Sequence, residues 1–134
     1  MIKKRYLFLT LKKKQFEVTL SGEKKIEYRH FSDWIQSRLI NKDYDFIKFV
    51  NGYGNDKPFM ILEYKGFTEI KQRETFSFSN GLIVNVKSGD YAINLGRIVE
   101  KGNIYEVDWL THRNVAVTQC SKNHRVYSPR KEHS

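Results

Sequence analysis

Glycine-bearing turns cut this chain into short apolar runs, and that spacing limits its fold more than any other feature. From Asn41 onward the turns are Asn51-Gly52-Tyr53-Gly54-Asn55-Asp56, Lys65-Gly66, Asn80-Gly81, Ser88-Gly89-Asp90 and Lys101-Gly102-Asn103. Between them lie runs too short for helices: Phe46–Val50, Phe59–Tyr64, Phe67–Gln72, Leu82–Val86, Tyr91–Leu95, Arg97–Glu100 and Tyr105–Val107. Apolar runs of this length bounded by turn residues read as strands. Lys65-Gly66 and Lys101-Gly102-Asn103 read as hairpin turns. The front of the chain differs. Tyr6–Leu11 is a buried strand by its apolar run, and Lys25–Arg29 alternates, with Ile26 and Tyr28 on one face and Lys25, Glu27 and Arg29 on the other. Phe16 and Leu20, four apart, put a helix at about 13–21 that Ser21-Gly22 ends. Ser32 is an N-cap for a second helix at about 32–40, where Ile35 and Leu39 share a face, as do Trp34 and Arg38. The expectation is an α+β fold: a small mixed β-barrel of about six to eight strands with two flanking helices.

With 134 residues, one domain is expected, spanning 1–110. Residues 111–134 read as a basic C-terminal extension, partly disordered, because apolar content falls after Val115-Ala116-Val117. No run approaches the ~18 apolar residues of a membrane span. Met1-Ile2-Lys3-Lys4-Arg5 lacks an apolar core and a cleavage site, so an unprocessed cytoplasmic protein is expected. Cys120 is the single cysteine, which leaves no intramolecular disulfide, and His112, His124 and His133 stand at no ligand spacing with it. No metal and no cofactor is expected.

The net charge is +9, and it is concentrated at the ends. Residues 1–29 hold nine Lys or Arg against Glu17, Glu23 and Glu27, and residues 111–134 hold Arg113, Lys122, Arg125, Arg130 and Lys131 against Glu132. Clustered positive charge attracts polyanions. Lys12, Lys13 and Lys14 oppose the dipole of the helix they open, which points to an anionic partner that offsets the cost.

One motif is sharp. Gly22-Glu23-Lys24-Lys25-Ile26-Glu27-Tyr28-Arg29 fits Gly-x-Lys-x-x-Glu-x-Arg. Glu27 and Arg29 are two apart on a strand, hence on one face, with Lys24 at its lip. Glu27 can hold either cation by charge-assisted hydrogen bonds, leaving the remaining donors for a phosphate or a base edge. The plainer reading is a surface ion pair on an exposed strand.

This motif, set between helix and strand, resembles that of the ASCH family of PUA-like barrels. The similarity runs through "LTLKKKQFEVTLSGEKKIEYR", "SDWIQSRL", "FIKFVNGYG" and "YAINLGRIVEKG", covering about residues 5–107, and is greatest with the short ASCH proteins of phages and bacteria. The resemblance implies a barrel with a cleft floored by the motif and RNA or a modified nucleoside as ligand. It makes Lys24, Glu27 and Arg29 cleft residues and Gly22 the turn glycine. Some members are amidohydrolases of acetylated cytidine, but they use a Thr where this chain has Glu27. Others are ribonucleases, and a Lys/Glu/Arg set suits phosphodiester cleavage, with Glu27 as base and Lys24 and Arg29 as cations.

Around this cleft, Lys12, Lys13 and Lys14 form a candidate phosphate rail. Tyr53 is a candidate base-stacking ring on its loop, and Asn51 a candidate base-edge contact. His30 would point opposite Arg29 if the strand continued. Tyr28 and Trp34 are read as packing residues. Three function classes remain open: an RNA-binding module; a hydrolase, either a ribonuclease or a modified-nucleoside amidohydrolase; and a phage-encoded inhibitor whose basic ends address an acidic host protein. A monomer is expected in each.

Overall fold

A computed structural model describes residues 3–108, 113–117 and 127–129. The order is β1 (Tyr6–Thr10), α1 (Lys13–Leu20), β2 (Ile26–Arg29), α2 (Asp33–Leu39), β3 (Phe46–Val50), β4 (Phe59–Glu69), β5 (Glu74–Ser77), β6 (Ile83–Val86), β7 (Tyr91–Gly102), β8 (Tyr105–Asp108), β9 (Arg113–Val117) and β10 (Tyr127–Pro129). The fold is α+β. Five strands form a mixed sheet in the order β1-β3-β4-β7-β2, curled into a half-barrel. β1 runs parallel to β3, and the other pairs are antiparallel. β5 and β6 form a separate hairpin, and β8, β9 and β10 a separate three-stranded sheet.

The curl has a local cause. The long strands β4 and β7 slip register between Ile61 and Leu62, Leu62 and Tyr64, and Tyr64 and Phe67. Each slip is an irregularity that bends and twists the ladder. Gly66 sits in the last slip at φ +86°. A glycine at positive φ there bulges one strand; it does not reverse the chain, so the hairpin expected at Lys65-Gly66 is instead the middle of β4. Gly96 lies against Glu63, where a Cβ would come within 2.8 Å of the Glu63 Cβ, so glycine alone fits without a shift. The hairpin expected at Lys101-Gly102-Asn103 is also absent: β8 pairs with β9 and not with β7. The eight strands expected of one barrel are thus shared among three sheets, and β5 was not anticipated at all.

The helices form as the side-chain spacing requires. Ser32 caps α2, its hydroxyl accepting from the Ile35 N–H at 3.1 Å. Ile35 and Leu39 are buried in one cluster with Phe16 of α1, Leu7, Leu9, Ile47, Phe49, Met60 and Ile93. A second, smaller cluster of Ile70, Val84, Val86 and Ala92 seats the β5–β6 hairpin, with Ile26 and Tyr28 packed against it. No helix among the described residues is long and apolar enough to cross a membrane. Of residues 111–134, expected to be partly disordered, Arg113–Val117 and Tyr127–Pro129 are described, and they form the paired strands β9 and β10; the rest lie outside the described residues.

Ile93 is fully buried and sits opposite both Glu27 of β2 and Phe67 of β4. Ile93→Ala is expected to cost about 2–5 kcal/mol, read as a lowered urea midpoint with unchanged slope. Val99→Ala, at a position 44% exposed on the same strand, should stay within about 0.5 kcal/mol of wild type.

Candidate nucleic-acid interface

The cleft begins with the chain reversal after α1. Ser21 closes the helix, its N–H bonding the Glu17 carbonyl. Gly22 then adopts φ +88° with open space around it, so its backbone angle and not its size is what demands glycine. The Lys24 N–H returns to the Val18 carbonyl at 3.1 Å, and the Lys24 side chain is buried. β2 follows. Glu27 pairs with Ile93 across the ladder, and directly opposed residues share a face, so the charged face of β2 turns toward the core.

There Glu27 is 1% exposed and holds two cations. One carboxylate oxygen accepts from Lys24 Nζ at 2.6 Å, the other from Arg29 Nε at 2.8 Å. Lys24 is itself buried. Arg29 also donates from Nη2 to the Thr10 carbonyl at 2.7 Å. β1 and β2 are the two outer strands of the five-stranded sheet, so this bond spans the seam where the half-barrel stays open.

The seam opens into a cleft of about 810 Å³, within the ~300–1,000 Å³ of typical small-ligand sites. Its walls come from the start of α1, β2, the loop after β3, and β6. Of the residues singled out from sequence, Lys12, Lys13, Glu27, Arg29, Asn51 and Tyr53 line it together. Gly22, Lys14 and Lys24 do not. Lys14 lies with its Nζ against Gly81, and its carbonyl accepts from the Asn80 side chain at 3.0 Å. Lys24 sits behind Glu27, a support and not a ligand contact. Glu27 has both oxygens occupied, so it is a poor general base; its part is to fix Arg29.

Three placements correct the sequence reading. β2 ends at Arg29, so His30 leaves the strand alternation and lines the cleft beside Arg29. Its Nδ1 pairs with the buried Asp90 Oδ2 at 2.9 Å. Asp90 also accepts from the backbone N–H groups of Phe31 and Lys87 and from Lys87 Nζ. Burial pushes the Asp90 carboxyl up, but these hydrogen bonds together outweigh it and hold the group well below the usual carboxylate range. Trp34 is 49% exposed instead of packed, with the Arg38 guanidinium over its ring at 4.8 Å. Tyr28 packs as expected on one side, stacked on Phe76 at 4.7 Å, yet its other side reaches the cleft. The Asp90 pairing had no sequence signal, since sixty residues separate it from His30. Trp109, His112, Cys120, Lys122, His124, Arg125, Arg130, Lys131 and His133 lie outside the described residues.

Two stability predictions follow from these buried charges. Lys24→Met strips Glu27 of one buried partner and is expected to cost about 3–5 kcal/mol in urea denaturation. For Asp90 the folded group is the stronger acid, so its stabilisation is complete above the unfolded-state value near 3.9 and drains away as pH falls through the lower folded value. Wild-type stability should therefore decline below about pH 5. Asp90→Asn should be less stable at pH 7 and flatter in acid, measured by melting temperature across pH.

Comparison with protein-family models, with curated proteins and with solved structures finds no match for this chain.

Proposed function

We propose that this chain is an RNA-binding module of the ASCH, PUA-like type, which takes a phosphate-bearing ligand in the cleft at the β1–β2 seam. One observation carries the reading: Arg29, anchored by buried Glu27 and by the Thr10 carbonyl, faces a solvent-open cleft with Lys12 and Lys13 on its wall. A guanidinium held by other bonds meets a phosphate with little ordering left to lose. The start of α1 adds to this. Lys12 supplies no capping bond from its side chain, and no acidic residue stands in the first turn. An anion there would satisfy helix-end donors that the chain itself leaves uncapped. Asn51 and Tyr53 offer a polar edge and an aromatic face beside these cations, and the +9 net charge aids encounter with a polyanion.

A second reading has a specific support. His30, fixed through Nδ1 by buried Asp90, leaves Nε2 to act as a base toward a ribose 2′-hydroxyl in the same cleft. In that reading the ribonuclease base is His30 and not Glu27. The Thr-dependent amidohydrolase and the inhibitor of an acidic host protein lack a comparable support.

RNA affinity should fall linearly in a plot of log affinity against log salt. Lys12→Ala with Lys13→Ala should flatten that slope by about two, one per lost phosphate contact, while Lys14→Ala leaves it unchanged. Arg29→Ala should abolish binding that Arg29→Lys only partly restores. An oligonucleotide titration insensitive to salt and to Arg29 would sink the reading. Mass spectrometry of the RNA afterwards separates binding from cleavage: intact RNA with wild type, or products lost in His30→Ala.

A further inference from the structure

Beside the cleft lies a second, more apolar groove of about 360 Å³. Phe8 of β1, Trp34 of α2 and Tyr53 of the loop after β3 converge on it from three parts of the sequence. These residues are 62%, 49% and 83% exposed. A cluster of large aromatics left in water is a binding surface far more often than a packing accident. Tyr6, stacked on Phe8 at a ring separation of 6.0 Å, extends the aromatic row along β1. The groove and the cleft share Thr10, Arg29 and Tyr53, so the two are continuous and Arg29 stands at their junction.

The charge around the groove selects its occupant. Arg29 lines it, and Arg38 lies over the Trp34 ring. A surface that sets aromatic faces beside cations, one of them held in place at Arg29, matches a polymer that alternates flat π-faces with phosphates. Single-stranded nucleic acid is such a polymer, with one face and one negative charge per nucleotide. A duplex hides its faces in the stack and cannot offer them to Trp34 or Phe8.

Resting on the function proposed above, we infer that the Phe8–Trp34–Tyr53 groove stacks an unpaired base of the strand whose phosphate lies at Arg29. The module therefore recognises single-stranded RNA across at least two nucleotides, one in the cleft and one in the groove.

The test is fluorescence anisotropy with the full chain and a labelled single-stranded RNA of about ten nucleotides, alone and annealed to its complement. The single strand should bind more tightly than the duplex. Trp34→Ala and Phe8→Ala should each weaken single-strand binding between about fivefold and a hundredfold, and Trp34→Phe should recover most of the loss. Both residues are largely exposed, so circular dichroism should stay unchanged. A second arm leaves the protein unaltered: an RNA with abasic sites should bind more weakly to wild type but not to Trp34→Ala. If Arg29→Ala weakens binding while the ring variants and abasic sites do nothing, the groove proposal fails and the cleft reading stands. If no RNA binds even at low salt, the cleft reading fails and takes the groove with it. If Trp34→Ala instead dissolves a dimer seen by sedimentation, the groove is a self-association surface and the proposal is overturned.

Discussion

The carboxylate of Glu27 is the point on which the site depends. Removing a charge from water is costly unless partners replace the lost hydration. Here each oxygen has a cationic donor, Lys24 from the turn after α1 and Arg29 from two residues along β2. The arrangement joins three pieces of chain. Lys24 fixes the helix-to-strand turn, Glu27 fixes the inner face of β2, and Arg29 carries the linkage across the seam to the carbonyl of Thr10. The guanidinium at the mouth is thereby positioned before any ligand arrives. Lys24 never touches the cleft, yet the cleft owes it the orientation of Arg29.

The cleft exists because the sheet curls without closing. Register slips between β4 and β7 bend the centre of the sheet and bring its two outer strands near each other. Their backbones do not pair; a side chain spans the gap instead. A fully closed barrel would fill this space with a ladder. An open seam leaves room for ligand, with strand, helix start and loop all facing it. The β5–β6 hairpin supplies the remaining wall and is held to α1 by the bond from Asn80 to the Lys14 carbonyl, and to the turn after α1 by Glu23, which accepts from the Ser79 backbone and hydroxyl.

Much of this was legible in the chain. Local patterns gave both helices, the Ser32 cap and most strands, since each rests on side-chain period or a capping hydroxyl a few residues away. The grouping of Glu27 with Arg29 followed from the period of a strand. What escaped depends on partners distant in sequence. Gly66 looks the same in a tight turn and in a bulge, because positive φ serves both, and only the long partner β7 decides between them. Lys24 reads as a lip residue, but its side chain is buried and held by Glu27. Trp34 shares α2 with buried Ile35, and its exposure depends on where the sheet lies, which no helical period reports. Phe8, Trp34 and Tyr53 form a groove only once three elements are folded together.

The edge position of β1 has a consequence during synthesis, before the fold exists. Tyr6-Leu7-Phe8-Leu9-Thr10-Leu11 is rich in aromatic and apolar residues, carries no charge and contains no proline, the composition that stacks into cross-β fibrils. Among the described residues only one side of β1 is paired, with β3. Lys3, Lys4 and Arg5 precede the segment, and Lys12, Lys13 and Lys14 follow it. In a fibril with copies in register, these like charges would stack every ~4.8 Å and repel. The lysines that flank the cleft thus also act as gatekeepers, keeping nascent chains from adding to one another along their first strand.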